Sequence, residues 1–173
     1  MAAPNKLPEK MKALVLTSRD KPLNVESIPT PQPTVGSAVV RILVAKIISY
    51  TREVMEGTRP YPFPTPIVPG TSALGRVAAV GPDATKVKPG DLVYIDTTVR
   101  SRDDPTDVFL AALHEGYTAG SAKLMKDVWR DWTYAEYART PLENLTVLNE
   151  QRLVGKPSAT CRGYTIEIGR AHV

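Results

Sequence analysis

The chain has 173 residues, 42% of them hydrophobic and 23% charged, so it is long enough to bury roughly 70% of its unfolded surface and is not disordered in composition. Its net charge of +4 comes from basic residues scattered among acids, with no basic run and no aromatic ladder, which argues against nucleic acid as a partner. A single cysteine, Cys161, excludes an internal disulfide. No signal-like apolar segment opens the sequence and no run of about 18 apolar residues occurs, so a cytoplasmic protein without a membrane partner is expected.

Sixteen prolines interrupt the chain too often for long helices and favour a mainly β fold with short helices. The segment 1–10 is expected to be disordered. The run MKALVLT over residues 11–17 predicts a first strand, and 23–28 alternates like a second before Pro29 and Pro31. After a turn at Gly36, residues 38–48 are almost continuously apolar and predict a buried strand. Residues 50–56 predict one short helical turn closed by Gly57, and Pro60, Pro62, Pro64 and Pro66 then predict an extended surface arm.

Two further strands are predicted over 74–80 and 92–98, joined through Gly81-Pro82 and Pro89-Gly90. Asp104 as cap and Pro105 at a first helical position predict a helix over 108–114 that ends at Gly116. Ser121 is expected to cap another short helix reaching Trp129. A strand is predicted over 134–139, and the apolar pattern of 141–153 leads out of the domain. The end, IGRAHV over 168–173, equals the translation of ATC GGA AGA GCA CAC GTC, which looks like a sequencing adapter, so a non-native tail is expected and His172 carries no functional weight.

Three motifs stand in this order: Pro69, Gly70, Gly75, Val77, Val80 and Gly81; then the turn Gly90-Asp91 with Val93; then Tyr134-Ala135-Glu136-Tyr137. The glycines allow tight turns or close strand approach, and Asp91 can accept turn amides. In this order and spacing the motifs resemble the N-terminal, GroES-like catalytic domain of medium-chain alcohol dehydrogenases and quinone reductases, over residues 11–150, and look closest to zinc-free fungal members. The resemblance implies a GroES-like barrel. It also implies that residues 151–167 lead into a nucleotide-binding domain that the sequence does not contain.

In zinc-bearing relatives the resemblance places a catalytic cysteine, and then histidine and glutamate, where this chain has Ile48, Thr71 and Ser72. Isoleucine offers no donor and threonine is not a zinc ligand, so no catalytic zinc is expected. Residues 97–130 contain no cysteine, so the four-cysteine structural zinc lobe is absent and helices are expected in its place. His114 is read as an exposed residue at a helix end and Cys161 as an incidental thiol.

Without metal, polarising an unactivated alcohol is hard, whereas an enone or quinone accepts hydride readily if a hydroxyl supplies the proton. Tyr50 falls where the family places a Ser or Thr proton relay and is the candidate catalytic residue; Ser49, Thr51 and Thr71 are expected to line the same cleft. The structural alternative is that Tyr50 and Thr51 only start a helix and that Thr71 and Ser72 fill the old pocket with mutually satisfied hydroxyls. NAD(P) is implied for the full-length parent, but this chain has no G-x-G-x-x-G; Gly163 is isolated, and Gly155-Lys156-Pro157-Ser158 lacks the upstream glycine of a phosphate loop.

Two readings therefore stand. One is a fragment of a zinc-independent NAD(P)-dependent oxidoreductase that acts on a small molecule and is inactive alone. The other is a stand-alone GroES-like interaction module. The fragment reading also predicts exposed apolar surface, because a missing part of the parent would cover it.

Overall fold

A computed structural model describes residues 6–153. Cys161, Gly163, the 155–158 stretch and the adapter-like end lie outside them. The fold is mainly β, as composition implied. Strands β1 (Lys10–Val15) and β2 (Asn24–Pro29) form an antiparallel hairpin, with Lys10 opposite Pro29 and Val15 opposite Asn24. The disorder expected over 1–10 is thus interrupted at its end, because Lys10 is already paired and the Glu9 carbonyl accepts from the Thr30 amide.

The centre is a five-stranded antiparallel sheet in the order β8 (Tyr137–Pro141), β3 (Ser37–Ala45), β4 (Ala73–Val80), β5 (Leu92–Ile95), β9 (Leu145–Val147). The β-branched residues of β3 explain its place in the middle, where Val39 and Val40 are fully buried. The strand is not buried throughout, however. Beyond Arg41 it no longer pairs with β8, and Leu43 and, past its end, Ile47 stand exposed. Gly70 and Gly75 act by close approach rather than by positive φ: a Cβ on Gly75 would strike Val40 and the Arg41 carbonyl across the β3–β4 pair, and one on Gly70 would strike Thr133, whereas Gly90 takes φ 95° in its turn with open space around it. Asp91 accepts the Lys88 amide at 2.9 Å, as its turn position implied.

Helix α1 (Thr51–Met55) matches the predicted turn, and Gly57 follows it at φ 79°. The proline segment is not a surface arm. Phe63, Ile67 and Val68 are buried, and Ile67 exchanges both backbone hydrogen bonds with Leu16, so the prolines fix the shape of a stretch whose apolar residues complete the core.

The region 98–130 differs most from expectation. The predicted helix over 108–114 is instead strand β7 (Val108–Leu110), paired antiparallel with β6 (Thr98–Arg100), followed by a turn in which Ala112 takes φ 54°. Val-Phe-Leu is a β-forming triplet, and Asp104 holds the Thr106 amide in a tight turn instead of capping a helix. Helix α2 (Ala119–Asp127) is capped by Thr118, not Ser121, and stops short of Trp129. Ser121 sits in the helix's first turn, where it and Thr118 exchange hydrogen bonds through both backbone and side chain. A hairpin plus one helix, rather than helices alone, thus occupies residues 98–127. The strand expected over 92–98 breaks after Ile95, the one expected over 134–139 starts at Tyr137, and a 3₁₀ turn (Leu142–Asn144), β9 and α3 (Glu150–Leu153) close the described chain.

Candidate functional site

Two polar clusters flank the connection from β3 to α1. In the first, Thr71 leaves β4's N-terminal approach with 3% of its surface exposed. Its hydroxyl donates to the Lys46 carbonyl, while its backbone exchanges hydrogen bonds with the Thr133 hydroxyl, amide to Oγ1 at 3.1 Å and Oγ1 to carbonyl at 2.7 Å. Tyr134 Oη donates to the same Lys46 carbonyl at 3.1 Å, and its oxygen neighbours the hydroxyls of both Thr51 and Thr71. Thr51 Oγ1 donates to the Ile48 carbonyl at 2.8 Å, and Ser72 Oγ accepts from Tyr94 Oη at 3.0 Å. Burial raises the phenols of Tyr134 and Tyr94 above the ordinary tyrosine range, opposed by their hydroxyl neighbours, so both stay protonated at neutral pH.

The positions that the resemblance aligns with the relatives' cysteine and histidine ligands, Ile48 and Thr71, therefore carry an apolar side chain and a hydroxyl already bonded within the fold. Among the described residues no group of three or more His, Cys, Asp or Glu side chains is placed to hold a metal ion. Such a donor set does not fit zinc, which needs imidazole, thiolate or carboxylate ligands.

The second cluster is aromatic. Tyr50, the N-cap position of α1, makes no capping bond. Its ring meets Tyr61 edge-on at 6.2 Å. The Arg59 guanidinium lies 4.2 Å over the Tyr50 ring and 5.2 Å from that of Tyr61. The far side of Tyr61 meets His114 edge-on at 4.8 Å, and Tyr117 follows at 5.0 Å.

His114 is thus neither at a helix end nor exposed: it is buried in the turn after β7, and its Nδ1 accepts the Gly116 amide at 3.0 Å. That bond places the proton of the neutral ring on Nε2. Burial depresses its pKa below the ordinary imidazole value, outweighing the opposite pull of Glu115. For Tyr50, burial raises the pKa first, then the charge and hydrogen bond of Tyr61, with Arg59 opposing.

The four residues expected to line one cleft are consequently divided. Thr51 and Thr71 converge on Tyr134, Tyr50 turns to Tyr61, and Ser49 is exposed. Tyr61 and Tyr134 carry the polar atoms that sequence reasoning missed. Tyr134 stands in a motif, but only its bond to the Lys46 carbonyl shows where its hydroxyl goes.

The model of the alcohol dehydrogenase GroES-like domain matches residues 34–150. This chain belongs to that family. An alcohol dehydrogenase from Moraxella sp. (strain TAE123) is 34% identical over 85 residues, which are 49% of this chain and 25% of that protein. Among solved structures, a protein from Sinorhizobium meliloti 1021 bound to NADP superposes with a TM-score of 0.68 at 19% identity, over 83% of this GroES-like chain and 40% of its own length. A short chain alcohol dehydrogenase from E. coli CFT073 complexed with NADH gives 0.65 at 21% identity, with the same coverages. This GroES-like chain therefore spans well under half the length of the relatives it matches. No helix among its described residues is long and apolar enough to cross a membrane.

Proposed function

We propose that this chain is the substrate-side domain of a zinc-independent, NAD(P)-dependent oxidoreductase that reduces an activated carbonyl, enone or quinone, and that it is inactive without a nucleotide-binding domain. The observation that carries the reading is the occupied pocket: Ile48 has no donor atom, the Thr71 hydroxyl is spent on the Lys46 carbonyl and Ser72 Oγ accepts from Tyr94. A bound dinucleotide would supply the hydride. The described residues hold no G-x-G-x-x-G turn opening a helix, so they offer no cradle for its pyrophosphate. The two structurally similar proteins with NADP and NADH bound, each more than twice as long as the matched part, support a further domain in the parent. Placement among zinc-free fungal members and a cytoplasmic site belong to the same proposal.

Within this domain the chemistry left is acid catalysis by a phenol. Tyr50 keeps its proton at neutral pH, as a proton donor to a carbonyl oxygen must. The exposed Leu43, on β3 beyond its pairing with β8, and Ile47 just past the strand offer a face for a further domain of the parent.

Two measurements test this. Reading the gene past codon 167 should find an open frame encoding a strand and a glycine-rich turn; a genuine stop there would favour the stand-alone module. Elemental analysis of the purified full-length protein should find no stoichiometric zinc, and tightly held zinc would overturn the metal-free reading.

A further inference from the structure

The β1–β2 hairpin is a two-stranded sheet of its own, tied to the rest of the fold along β1 and its end: the Leu14 amide donates to the Tyr134 carbonyl at 2.8 Å, and Leu16 exchanges both backbone bonds with Ile67. Between one face of this hairpin and the segment that leaves α2 lies a cavity of about 670 Å³, in the range that holds a small organic molecule. Met11, Val15 and Ile28 of the hairpin, Ile67 and Val68 of the proline segment, and Trp132 give it an apolar lining, and all but Ile28 are more than nine-tenths buried. Tyr50, Tyr61, Thr71 and Tyr134 are not among its lining residues.

Two lining residues carry a polar atom that the fold leaves without a partner. Trp132 has 0% and Thr30 5% of its surface exposed, and neither the indole Nε1 nor the Thr30 hydroxyl makes a hydrogen bond among the described residues. An indole N–H can only donate, and a buried donor is costly to leave unpaired, so a buried tryptophan ordinarily finds an acceptor. The apolar side chains around it offer no oxygen. We propose that this cavity is a second ligand site, which takes a small, mainly apolar, uncharged molecule whose carbonyl oxygen accepts the Trp132 indole N–H. The Thr30 hydroxyl, able to donate or accept, gives it a second anchor. The inference stands apart from the reductase reading.

The charged residues of the lining set the class of ligand. Three are acidic, Glu26, Asp127 and Asp131, and three are basic, Lys126, Arg130 and Arg139, so no net field selects an anion or a cation. Arg130 pairs with Asp131 at 3.0 Å, Asp131 also accepts the Val68 amide at 3.0 Å, and Arg139 donates to the Val128 carbonyl at 2.9 Å. The other three are exposed, where solvent screens them. A charged ligand would have to compete with bonds the fold already uses; an uncharged carbonyl compound needs none of them.

The test uses the purified, isotope-labelled 173-residue protein and two probes of one shape, acetophenone and ethylbenzene, of which only the ketone offers an acceptor. The chain has two tryptophans, so the indole N–H resonance that remains in Trp129→Phe belongs to Trp132. Acetophenone should move that resonance downfield in a saturable way and bind about tenfold tighter than ethylbenzene, the effect of one buried hydrogen bond. Benzoate should bind more weakly than acetophenone. Ile28→Phe, which fills the cavity from a half-buried hairpin position, should abolish saturation, and Trp132→Phe should bring acetophenone and ethylbenzene to equal affinity, read from the rise each gives in the unfolding midpoint. Where Trp132→Phe does not fold, the wild-type comparison and Ile28→Phe decide alone. The proposal is overturned by any of three results: no saturable shift of the Trp132 resonance up to the solubility of acetophenone, equal affinity of the wild type for the two probes, or undiminished binding in a folded Ile28→Phe protein. Benzoate binding tighter than acetophenone would overturn the uncharged class.

Discussion

The two clusters on either side of the β3–α1 connection are made of the same material, hydroxyl groups, and use it in opposite ways. Around Thr71 each hydroxyl ends on a backbone carbonyl or on another hydroxyl: Thr71 and Tyr134 on Lys46, Thr51 on Ile48, Tyr94 on Ser72. Around Tyr50 the rings of Tyr50 and Tyr61 meet edge-on under a guanidinium, with His114 on the far side of Tyr61. A hydroxyl whose proton is committed to the fold stabilises it and offers little to a substrate; a phenol whose proton is not so committed keeps one to give. On the proposed zinc-independent reading, the position aligned with the metal's serves as structure, and the candidate chemistry lies elsewhere on the same connection.

The comparison breaks most severely if the first cluster proves dispensable to the fold. Gly70→Ala drives a Cβ into the Thr133 amide and hydroxyl, the pair that holds Thr71. A cost of about 3 kcal/mol is expected, the upper range for overpacking, seen as a lower urea midpoint with unchanged slope. Next, Thr71→Val removes a buried donor while Tyr134 still serves the Lys46 carbonyl, so a loss of about 1 kcal/mol is expected. In the active full-length protein the same variant should leave kcat/KM nearly unchanged; a large fall in kcat would mean that Thr71 works on substrate and the two clusters are not divided as described.

How much of this was legible in the sequence depends on how local each feature is. The first two strands, β4 and the α1 turn follow from runs of β-branched residues, alternation and the stop at Gly57, all readable within a few positions. The 108–114 segment misleads because Val108, Ala111 and Ala112 also fit a helical period over one turn, and only pairing with β6 settles it. Thr118 as cap was locally available, since its hydroxyl stands three residues before Ser121, but Ser121 drew the attention. The aromatic row was not legible at all: Tyr50, Tyr61, His114 and Tyr117 come from a helix start, a proline segment and the turn after a hairpin, and nothing short of the packed fold joins them. Likewise, the sequence showed which metal ligands are missing at Ile48 and Thr71, but not what the Thr71 hydroxyl bonds to instead.

A milder test sharpens the account of the second cluster through His114. Its folded pKa lies below the unfolded value of about 6.5, so the unfolded chain binds the proton first and stability falls as pH drops through that value, until the folded state is protonated too. Glu143 and Glu150, held below the ordinary carboxylate range by Arg102 and Arg76, lose their contribution only at more acid pH, so the two windows are separable. Unfolding measured from pH 7.5 to 5 should show this loss in the wild type and a flatter profile in His114→Gln. An unchanged slope would mean that the ring titrates freely and the Tyr61 contact does not bury it.

The smallest expected effect belongs to Arg59. Its guanidinium is partly exposed and its pairing with Glu53 at 3.8 Å is loose, so its stacking on two phenols contributes about 0.5 kcal/mol to stability, and Arg59→Gln should barely move the unfolding midpoint. Its influence on Tyr50 is of a different kind: it favours the ionised phenol, so its removal should push the Tyr50 ionisation to higher pH. A variant that leaves the unfolding midpoint in place and shifts this one tyrosine would show that the second cluster is tuned for charge rather than packed for stability; an unmoved ionisation would return it to the class of the first.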